Sequence, residues 1–274
     1  MKFGFSTNAF INNSLDCAIE SISKIGYDGI EIVVDKPHIR LPLSNVTTHN
    51  LRKKLKQKNL ELTNLNANTS IIWYDNSPVI DNFEPSLSNI NGKLRAWRIN
   101  YTKYAIDLAY LLDCPSICIT SGTKNNFNDF ELFINSLSII SEYAEKKNVL
   151  IAMEYEPGLV IETAGDVYSL IKKFPMIGLN LDICHAYVLN EKIDEIIQKF
   201  DKKIYHTHIS DCKNHIHYHL IPGLGEIDFK HIIDSLKKIK YNGYLTAELY
   251  TYSNDPERAA TETLNYLSQL VRNR

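Results

Sequence analysis

Residues 150–183 read LIAMEYEPGLVIETAGDVYSLIKKFPMIGLNLDI, and this stretch contains the pattern that decides the fold. A β-rich run over Leu150–Glu156 precedes an amphipathic stretch over Thr163–Phe174, and a second apolar run follows at Gly178–Ile183. Two strand-like runs joined by a helical pattern are typical of a parallel βαβ unit. Both runs end in carboxylates, so the unit predicts acidic side chains where two neighbouring parallel strands end.

The same alternation extends over the whole chain. We predict eight strands, at Lys2–Thr7, Gly29–Asp35, Glu61–Asn66, Ser116–Ser121, Leu150–Glu156, Gly178–Ile183, Lys203–Ile209 and Tyr244–Tyr250. Helical patterns follow them at about Leu15–Ile25, Thr48–Lys58, Leu94–Leu112, Asp129–Lys147, Thr163–Phe174, Lys192–Phe200, Phe229–Ile239 and Pro256–Val271. Eight such pairs without a break in composition predict an α/β fold, a (β/α)8 TIM barrel in a single domain over residues 1–274. A doubly wound open sheet is the alternative, although no glycine-rich phosphate turn follows the first strand.

Composition limits the classes of partner and compartment. The chain has 274 residues, 44% hydrophobic and 23% charged, with a net charge of −2, so neither a nucleic acid nor a membrane is expected as a partner. Its start, MKFGFSTNAF, lacks the apolar stretch of a signal peptide. The five cysteines are odd in number and widely spaced, which favours reduced thiols and a cytoplasmic protein.

Two predicted loops are longer than a minimal connection, and both follow strands. They are Thr69–Lys93 and Asp211–Asp228. Loops after strands emerge at the C-terminal face of a barrel, where active sites are built. The aromatic residues of and near the first loop either form a wall over a substrate ring or anchor the loop to the third helix: Trp73, Tyr74, Phe83 and Trp97. We predict substrate contact for Trp73, and surface salt bridging rather than anion binding for Arg95 and Arg98.

Four consecutive strand ends carry polar residues where apolar ones are expected. They supply Glu154 and Glu156, Asp182, His206 and His208, and Glu248. Because a buried unpaired carboxylate is costly, this group requires a shared cation or a dense hydrogen-bond network. Three carboxylates and one imidazole suit Mn²⁺, Mg²⁺, Co²⁺ or Zn²⁺. We therefore predict one divalent metal ion, bound by Glu154, Asp182, His208 and Glu248.

Several stretches make a more specific resemblance. IAMEYEPG, LNLDICHAY, HTHISDC, HYHLIPGLGEIDF and LTAELY, with STNAF and YDGIEIVVD near the start, resemble the xylose-isomerase-like TIM barrel superfamily of sugar phosphate isomerases, epimerases and endonuclease IV-like enzymes. The resemblance implies the same four metal ligands. It also implies that Glu154 and Glu248 act as acid and base on opposite faces of the substrate, while the metal stabilises an enediolate.

Further residues around the predicted metal have expected roles, and that of His185 follows from the resemblance. His185 matches a substrate-contacting histidine, and Glu156 is expected to contact substrate or to compete with Glu154 as a ligand. Asp211 either holds His208 in its metal-binding tautomer or caps its loop, and His206 is expected to pack on the inner wall.

One loop departs from the epimerase pattern. His219 stands where many sugar epimerases carry arginine, and His215 and His217 precede it. These histidines could be extra metal ligands, proton carriers or a polar loop. We include His217 and His219 with His185, Glu156 and Trp73 in the predicted substrate-binding set.

The sequence thus predicts a metal-dependent isomerase or epimerase of a small sugar, keto-sugar or polyol. A dehydratase of the inosose or dehydroshikimate type is the alternative, and a non-catalytic metal-binding barrel is a third reading. An endonuclease IV-like nuclease is disfavoured because LNANTS and ITSGTK, after strands three and four, lack the histidines that a trinuclear zinc site needs. Oligomeric state, including a homo-oligomer, is left open.

Overall fold

The structure is a computed structural model that describes residues 1–75 and 77–272. Its strands are β1 (Lys2–Ser6), β2 (Gly29–Val33), β3 (Glu61–Asn66), β4 (Ser116–Ile119), β5 (Leu150–Met153), β6 (Ile177–Asp182), β7 (Ile204–Ile209), β8 (Asp211–Lys213), β9 (Ile216–Leu220) and β10 (Tyr244–Ala247). Its helices are α1 (Leu15–Ile25), α2 (Asn45–Gln57), α3 (Gly92–Leu112), α4 (Asp129–Lys147), α5 (Ala164–Ile171), α6 (Ile183–Val188), α7 (Ile193–Phe200), α8 (Phe229–Lys238) and α9 (Pro256–Arg272).

Eight of these strands close into a parallel barrel in the order β1–β10–β7–β6–β5–β4–β3–β2. The predicted (β/α)8 barrel is therefore confirmed. Each strand is short because the barrel wall needs only four to six residues per strand, and the predicted strand ends at Glu156 and Tyr250 lie in the loops beyond the wall. Those loops carry the polar residues to the mouth of the barrel.

Two elements differ from the sequence prediction. Strands β8 and β9 form an antiparallel hairpin within the segment that was expected to be a loop. Its second strand, Ile-His-Tyr-His-Leu, alternates between apolar and polar positions as strands do, but two histidines are not typical of a buried strand. Helix α6 begins directly after β6, because the side chain of Asp182 accepts a hydrogen bond from the backbone N–H of His185 at 3.0 Å and caps the helix.

The helices surround the barrel and bury one face each against it. In α1, Ser14 caps the first turn and Gly26 ends the helix with φ +103°, a conformation that favours glycine. Between these ends Ala18, Ile19 and Ile22 are buried.

The inside of the barrel is polar in its upper half. Asn64 donates to Glu31 at 2.8 Å and accepts from Ser116 at 2.8 Å, and all three side chains are buried. Asn180 and His206 occupy adjacent strands at the same level. Buried polar groups keep their stability only when they are hydrogen-bonded, so this interior is organised by specific contacts rather than by apolar packing alone.

The prediction of reduced thiols is wrong for two cysteines. Cys184 at the start of α6 and Cys212 in β8 form a disulfide, with Cα atoms 6.0 Å apart, whereas Cys17, Cys114 and Cys118 are free. The separation of 28 positions hides this pairing, because only the return of β7 and β8 beside α6 brings the two sulfurs together. Separately, no helix in the described part of the chain has the length and apolar character needed to span a membrane.

Candidate functional site

The barrel register brings the predicted ligands to one level at its mouth. Asp182 and His208 are paired neighbours on β6 and β7, and His208 pairs with Thr246 on β10. Glu154 and Glu248 each follow the end of a strand, where their backbone N–H groups still donate to Ile119 and Ile209 of the adjacent strands at 3.0 and 3.1 Å. The carboxyl ends of four barrel strands thus hold the four side chains in place.

These four residues fit a divalent cation. Glu154, Asp182, His208 and Glu248 each offer a ligand atom, and the four atoms lie within 4.8 Å of one another. All four residues are buried, and Oδ2 of Asp182 has no hydrogen-bond partner. An oxygen of this kind is costly to leave unpaired, and three carboxylates with one imidazole are a donor set that Mn²⁺, Mg²⁺, Co²⁺ and Zn²⁺ accept.

The two oxygens of Glu154 have different surroundings. Oε2 accepts hydrogen bonds from the amides of Asn68 at 2.5 Å and Asn180 at 2.9 Å, and from the Cys118 thiol at 3.1 Å. Oε1 instead faces Nδ1 of His208 at 3.3 Å. Three neutral donors therefore occupy one oxygen and leave the other for a ligand. Burial disfavours the charge of Glu154, but His208 and the hydrogen bonds outweigh it and lower the pKa of this carboxyl.

Glu248 has fewer donors. Its Oε1 accepts one hydrogen bond from Asn66 at 3.2 Å, and its Oε2 lies 3.5 Å from Nδ1 of His208. Burial raises the pKa of Glu248 well above its usual value, with Glu154 and Asp182 adding repulsion and His208 opposing it. Of the two glutamates, Glu248 is thus the one that more readily holds a proton when no cation is bound.

His208 is held by a partner that the sequence prediction did not name. Its Nε2 lies 2.9 Å from a carboxylate oxygen of Glu31 on β2, which leaves Nδ1 toward Glu154 and Glu248. Burial opposes the ionised form of Glu31, but His208 and His206 lower the pKa of this carboxyl well below its usual value. A polar residue inside the apolar run GIEIVV was the signal that could have identified it.

Asp211 does not contact His208. The prediction that Asp211 holds His208 in its metal-binding tautomer is therefore corrected. Its carboxylate accepts the backbone N–H groups of Gly223 at 2.9 Å, Gly225 at 2.8 Å and Ile227 at 3.1 Å. At Gly225 a side chain would meet Asp211 Oδ1 at 2.3 Å, so the close approach requires glycine. Asp211 therefore fastens the Pro-Gly-Leu-Gly turn, which was the alternative reading.

Glu154 and Glu248, two of the four residues, line a cavity of about 410 Å³. His185, His217, His219 and Glu156 also line it. Nδ1 of His185 contacts the carbonyl of Tyr155 at 2.8 Å, which leaves Nε2 available to a ligand. Burial opposes charge on His185, but Asp182, Glu156 and Glu154 raise its pKa to about 9.

The histidine-rich hairpin divides between the cavity and the surface. His217 stacks on His219 with ring centroids 3.8 Å apart, and Nδ1 of His219 contacts the carbonyl of Glu248 at 3.1 Å. Burial lowers the pKa of His217 to about 3 and that of His219 to about 4. His215 instead stacks on Tyr187 outside the cavity. Asp182, His185 and His217 also offer atoms within 4.8 Å of one another, so both ligation and proton transfer are open to this edge of the site.

Glu156 lines the cavity beside Glu154 but does not belong to the group of four ligand atoms. Burial raises the pKa of Glu156 to about 7, with His185 opposing this shift. The carboxyl group is thus suited to hydrogen bonding with a ligand in either protonation state.

The loop after β3 is held by Arg98, against the expectation of a surface arginine. This side chain is 1% exposed, and its guanidinium donates to the carbonyls of Ala67, Asn68 (3.1 Å) and Thr69 (2.5 Å). Because Asn68 in turn donates to Glu154, the arginine supports one wall of the site. Arg95 is half-buried and donates to the carbonyl of Asn89.

Trp73 does not line the cavity, so its predicted contact with substrate is not supported. Its ring packs edge-on against Trp97 of α3 at 5.0 Å, and Trp97 stacks on Tyr101 at 5.1 Å. The aromatic residues anchor the long loop to the third helix, while Phe83 is the aromatic side chain of that loop that reaches the cavity. The position of a tryptophan in a loop sequence does not indicate which way its side chain faces.

Comparisons with known proteins identify the family of this fold. The family model of the xylose isomerase-like TIM barrel matches residues 19–270. Fructoselysine 3-epimerase of Shigella flexneri is 26% identical over 99% of this chain and 98% of its own length. Inosose isomerase of Halalkalibacterium halodurans is 24% identical over 87% of this chain and 84% of its own length. The crystal structure of the IOLI protein with a bound zinc atom superposes with a TM-score of 0.79, at 23% identity, over 99% of this chain and 98% of that one.

Proposed function

Because this chain belongs to the family of xylose isomerase-like TIM barrels, we propose that it is a divalent-metal-dependent isomerase or epimerase of a small sugar, keto-sugar or polyol. It moves a proton on the carbon beside a carbonyl group. The observation that carries the proposal is the convergence of ligand atoms of Glu154, Asp182, His208 and Glu248 within 4.8 Å, beside a cavity that Glu154 and Glu248 line. The named relatives, an epimerase and an isomerase, support the same reaction class.

The four converging residues would hold the metal ion, which is Mn²⁺, Mg²⁺, Co²⁺ or Zn²⁺ in this proposal. When bound, a divalent cation supplies the positive charge that polarises a carbonyl and an adjacent hydroxyl and acidifies the C–H bond between them. Oδ2 of Asp182 has no hydrogen-bond partner, and Oε1 of Glu154 and Nδ1 of His208 face each other at 3.3 Å, so these are the atoms that would turn to the metal. One metal per chain is the expected stoichiometry.

Glu154 and Glu248 would exchange the proton. They follow β5 and β10, which are separated in the barrel by β6 and β7, so they approach a bound substrate from different sides. One carboxylate removes the proton and the other returns one to the opposite face, which inverts the carbon. Glu154 is restrained by three donors and Glu248 by one, so Glu248 has the greater freedom to carry the proton between substrate atoms.

The remaining cavity residues would recognise the substrate. His185, His217, His219 and Glu156 offer neutral and charged hydrogen-bonding groups for hydroxyls. No arginine is among the cavity residues in the described part of the chain, and Lys36 is the basic amine that lines it. This lining favours hydroxyl-rich substrates. The metal ion would supply the main positive charge that such a substrate contacts.

The proposal is tested by proton exchange with solvent. The metal-loaded protein is incubated in D2O with ketohexoses, fructoselysine and inososes, and deuterium incorporation beside the carbonyl is followed by NMR. Glu248→Gln is expected to slow exchange by about 10²–10⁴-fold, the usual contribution of a general base. Glu131→Gln, an exposed glutamate on α4, is the matched control and keeps full activity.

Exchange in the wild-type protein that survives both Glu154→Gln and Glu248→Gln would overturn the assignment. Deuterium incorporation with loss of a hydroxyl would instead favour the dehydratase alternative, which the named relatives do not support. Metal retention without exchange into any of these compounds would favour a non-catalytic barrel. Cytoplasmic localisation is part of the proposal. Because the disulfide removes the argument from reduced thiols, cell fractionation is the experiment that checks it.

A further inference from the structure

The stretch YDGIEIVVD contains a buried acid to which the proposed reaction assigns no task. Glu31 of this stretch is 0% exposed and lies on β2, which β1 and β10 separate from β7 in the barrel. Its side chain points into the barrel, because it contacts the imidazole of His208 on β7. A buried carboxylate in such a place needs a reason that outweighs its desolvation.

The hydrogen bonds around Glu31 account for its charge without a cation. Its Oε2 accepts from Asn64 at 2.8 Å and lies 2.9 Å from Nε2 of His208 and 3.2 Å from Nε2 of His206. Its Oε1 accepts from Asn66 at 3.3 Å. Glu31, His206 and His208 also satisfy the spacing of a metal-binding group, but the surrounding amides already supply donors to both oxygens.

The contact with His208 determines which ring nitrogen carries the proton. A carboxylate can only accept, so Nε2 of His208 donates to Glu31, and in the neutral ring that metal binding requires the lone pair is on Nδ1. Nδ1 is the nitrogen that faces Glu154 at 3.3 Å and Glu248 at 3.5 Å. The amide of Asn180, 3.1 Å from Nδ1, is a donor and agrees with a lone pair on that atom.

We propose that Glu31 is a positioning residue for the metal site: its hydrogen bond to Nε2 of His208 fixes the imidazole in the tautomer and orientation that present Nδ1 to the metal. The proposal rests on the proposed metal site but not on the reaction. Without Glu31 the ring is free to carry its proton on Nδ1, where it would block ligation, and to rotate about its side-chain bonds. Partners of this kind typically change metal affinity by about 10–100-fold.

The test compares Glu31→Met, which removes the acceptor at similar volume, with Glu31→Gln, which keeps one acceptor oxygen. Thr63→Val is the matched control, because it removes a buried hydroxyl without a hydrogen-bond partner from the neighbouring strand β3. Co²⁺ is titrated into each metal-free protein, and its visible absorption reports both affinity and coordination geometry. Long-range ¹H–¹⁵N spectra of the metal-free proteins report which nitrogen of His208 is protonated.

Glu31→Met is expected to bind Co²⁺ about 10–100-fold more weakly and to lose the Nε2–H tautomer of His208. Glu31→Gln is expected to keep that tautomer and to fall between Glu31→Met and wild type, and Thr63→Val to match wild type. If Glu31→Met does not fold, the comparison of Glu31→Gln with wild type decides. The proposal is contradicted if Glu31→Gln has the Co²⁺ affinity and the Co²⁺ spectrum of wild type and if His208 of wild type is the Nδ1–H tautomer.

Two further outcomes would overturn it. Unchanged Co²⁺ affinity in folded Glu31→Met would show that His208 needs no such partner. Two equivalents of Co²⁺ in wild type, with one lost in Glu31→Met, would make Glu31 a ligand of an inner cation instead. Absence of deuterium exchange with normal, Glu31-dependent metal binding would refute the proposed reaction and leave this inference intact.

Discussion

Oε1 of Glu154 lies 3.3 Å from Nδ1 of His208, although the two residues are 54 positions apart in the chain. The contact joins the ends of β5 and β7 across the mouth of the barrel. The other oxygen of Glu154 is occupied by three donors and the other nitrogen of His208 faces Glu31, so these contacts fix Oε1 of Glu154 and Nδ1 of His208 opposite each other. The consequences of this convergence can be measured by changing its members singly.

Asp182→Asn should separate metal binding from folding. Asp182 caps α6 through Oδ1, and asparagine is an equally good cap, whereas its amide cannot replace the charge offered by Oδ2. We expect metal affinity to fall at least about tenfold, equivalent to ~1.4 kcal/mol, with little change in the free energy of unfolding. Metal content after dialysis is measured by mass spectrometry.

Asp228→Asn is the matched control for that change. Asp228 caps α8 by accepting the N–H of His231 at 2.9 Å, away from the cavity. It should keep wild-type metal content. Equal metal content in Asp182→Asn and Asp228→Asn would remove Asp182 from the proposed ligand set.

Arg98→Met should destabilise the fold and disturb the site. The substitution keeps an apolar stem but leaves the carbonyls of Ala67, Asn68 and Thr69 without their buried donor. We expect a loss of at least about 3 kcal/mol in the free energy of unfolding, since each of the three unsatisfied buried carbonyls costs about 1–3 kcal/mol. Denaturant unfolding measures this loss. Arg95→Met, on the same helix but partly exposed, should cost less than about 1 kcal/mol; equal losses in the two variants would contradict the role of Arg98.

Reduction of the Cys184–Cys212 disulfide should lower stability. A bridge across 28 positions restricts the unfolded chain, and the chain-entropy relation gives about 3–4 kcal/mol for a loop of this length. Urea unfolding of the Cys184→Ala, Cys212→Ala double variant is compared with that of Cys17→Ala, which removes a free thiol at an exposed site. Thiol titration of the denatured wild-type protein should find three free thiols. Five free thiols in freshly purified protein would refute the bridge.

His38→Gln should make stability less sensitive to acid. Burial lowers the pKa of His38 below 6.5, although contact with the carbonyl of Phe10 opposes the shift. The unfolded state therefore takes up a proton first, so this contribution to stability is complete above pH 6.5 and is lost as pH falls from 6.5 through the lowered pKa. Over that window wild type should lose up to about 1.4 kcal/mol per pH unit more than His38→Gln.

Urea unfolding at a series of pH values between 7.5 and 5 measures the difference. The amide of glutamine can still donate to Phe10, so the variant keeps the hydrogen bond and loses the titrating group. His49→Gln on the exposed side of α2 serves as the control and should follow wild type. Parallel pH curves for wild type and His38→Gln would show that His38 does not contribute.

Much of the candidate site follows from local sequence, and its failures have local reasons. Carboxylates at the ends of buried runs identified Glu154, Asp182 and Glu248, because parallel strands bring their carboxyl ends to one face. Asn68, Asn180 and Cys118 were not predicted as site residues. A neutral side chain in or just after a strand gives no indication in the sequence that it contacts a carboxylate. The ring of Trp73 packs on Trp97 and does not line the cavity, and a loop residue has no periodicity from which this direction could be inferred.

The sequence by itself determined the barrel and the level at which its acidic residues stand, since both depend on local alternation and on where each strand ends. Only the tertiary structure decided how those residues are connected. Closure of the barrel sets Glu31 of β2 against His208 of β7, and the return of the chain beside α6 joins Cys184 to Cys212. Such contacts depend on distances between segments far apart in the chain, and no local pattern of hydrophobicity or charge encodes them.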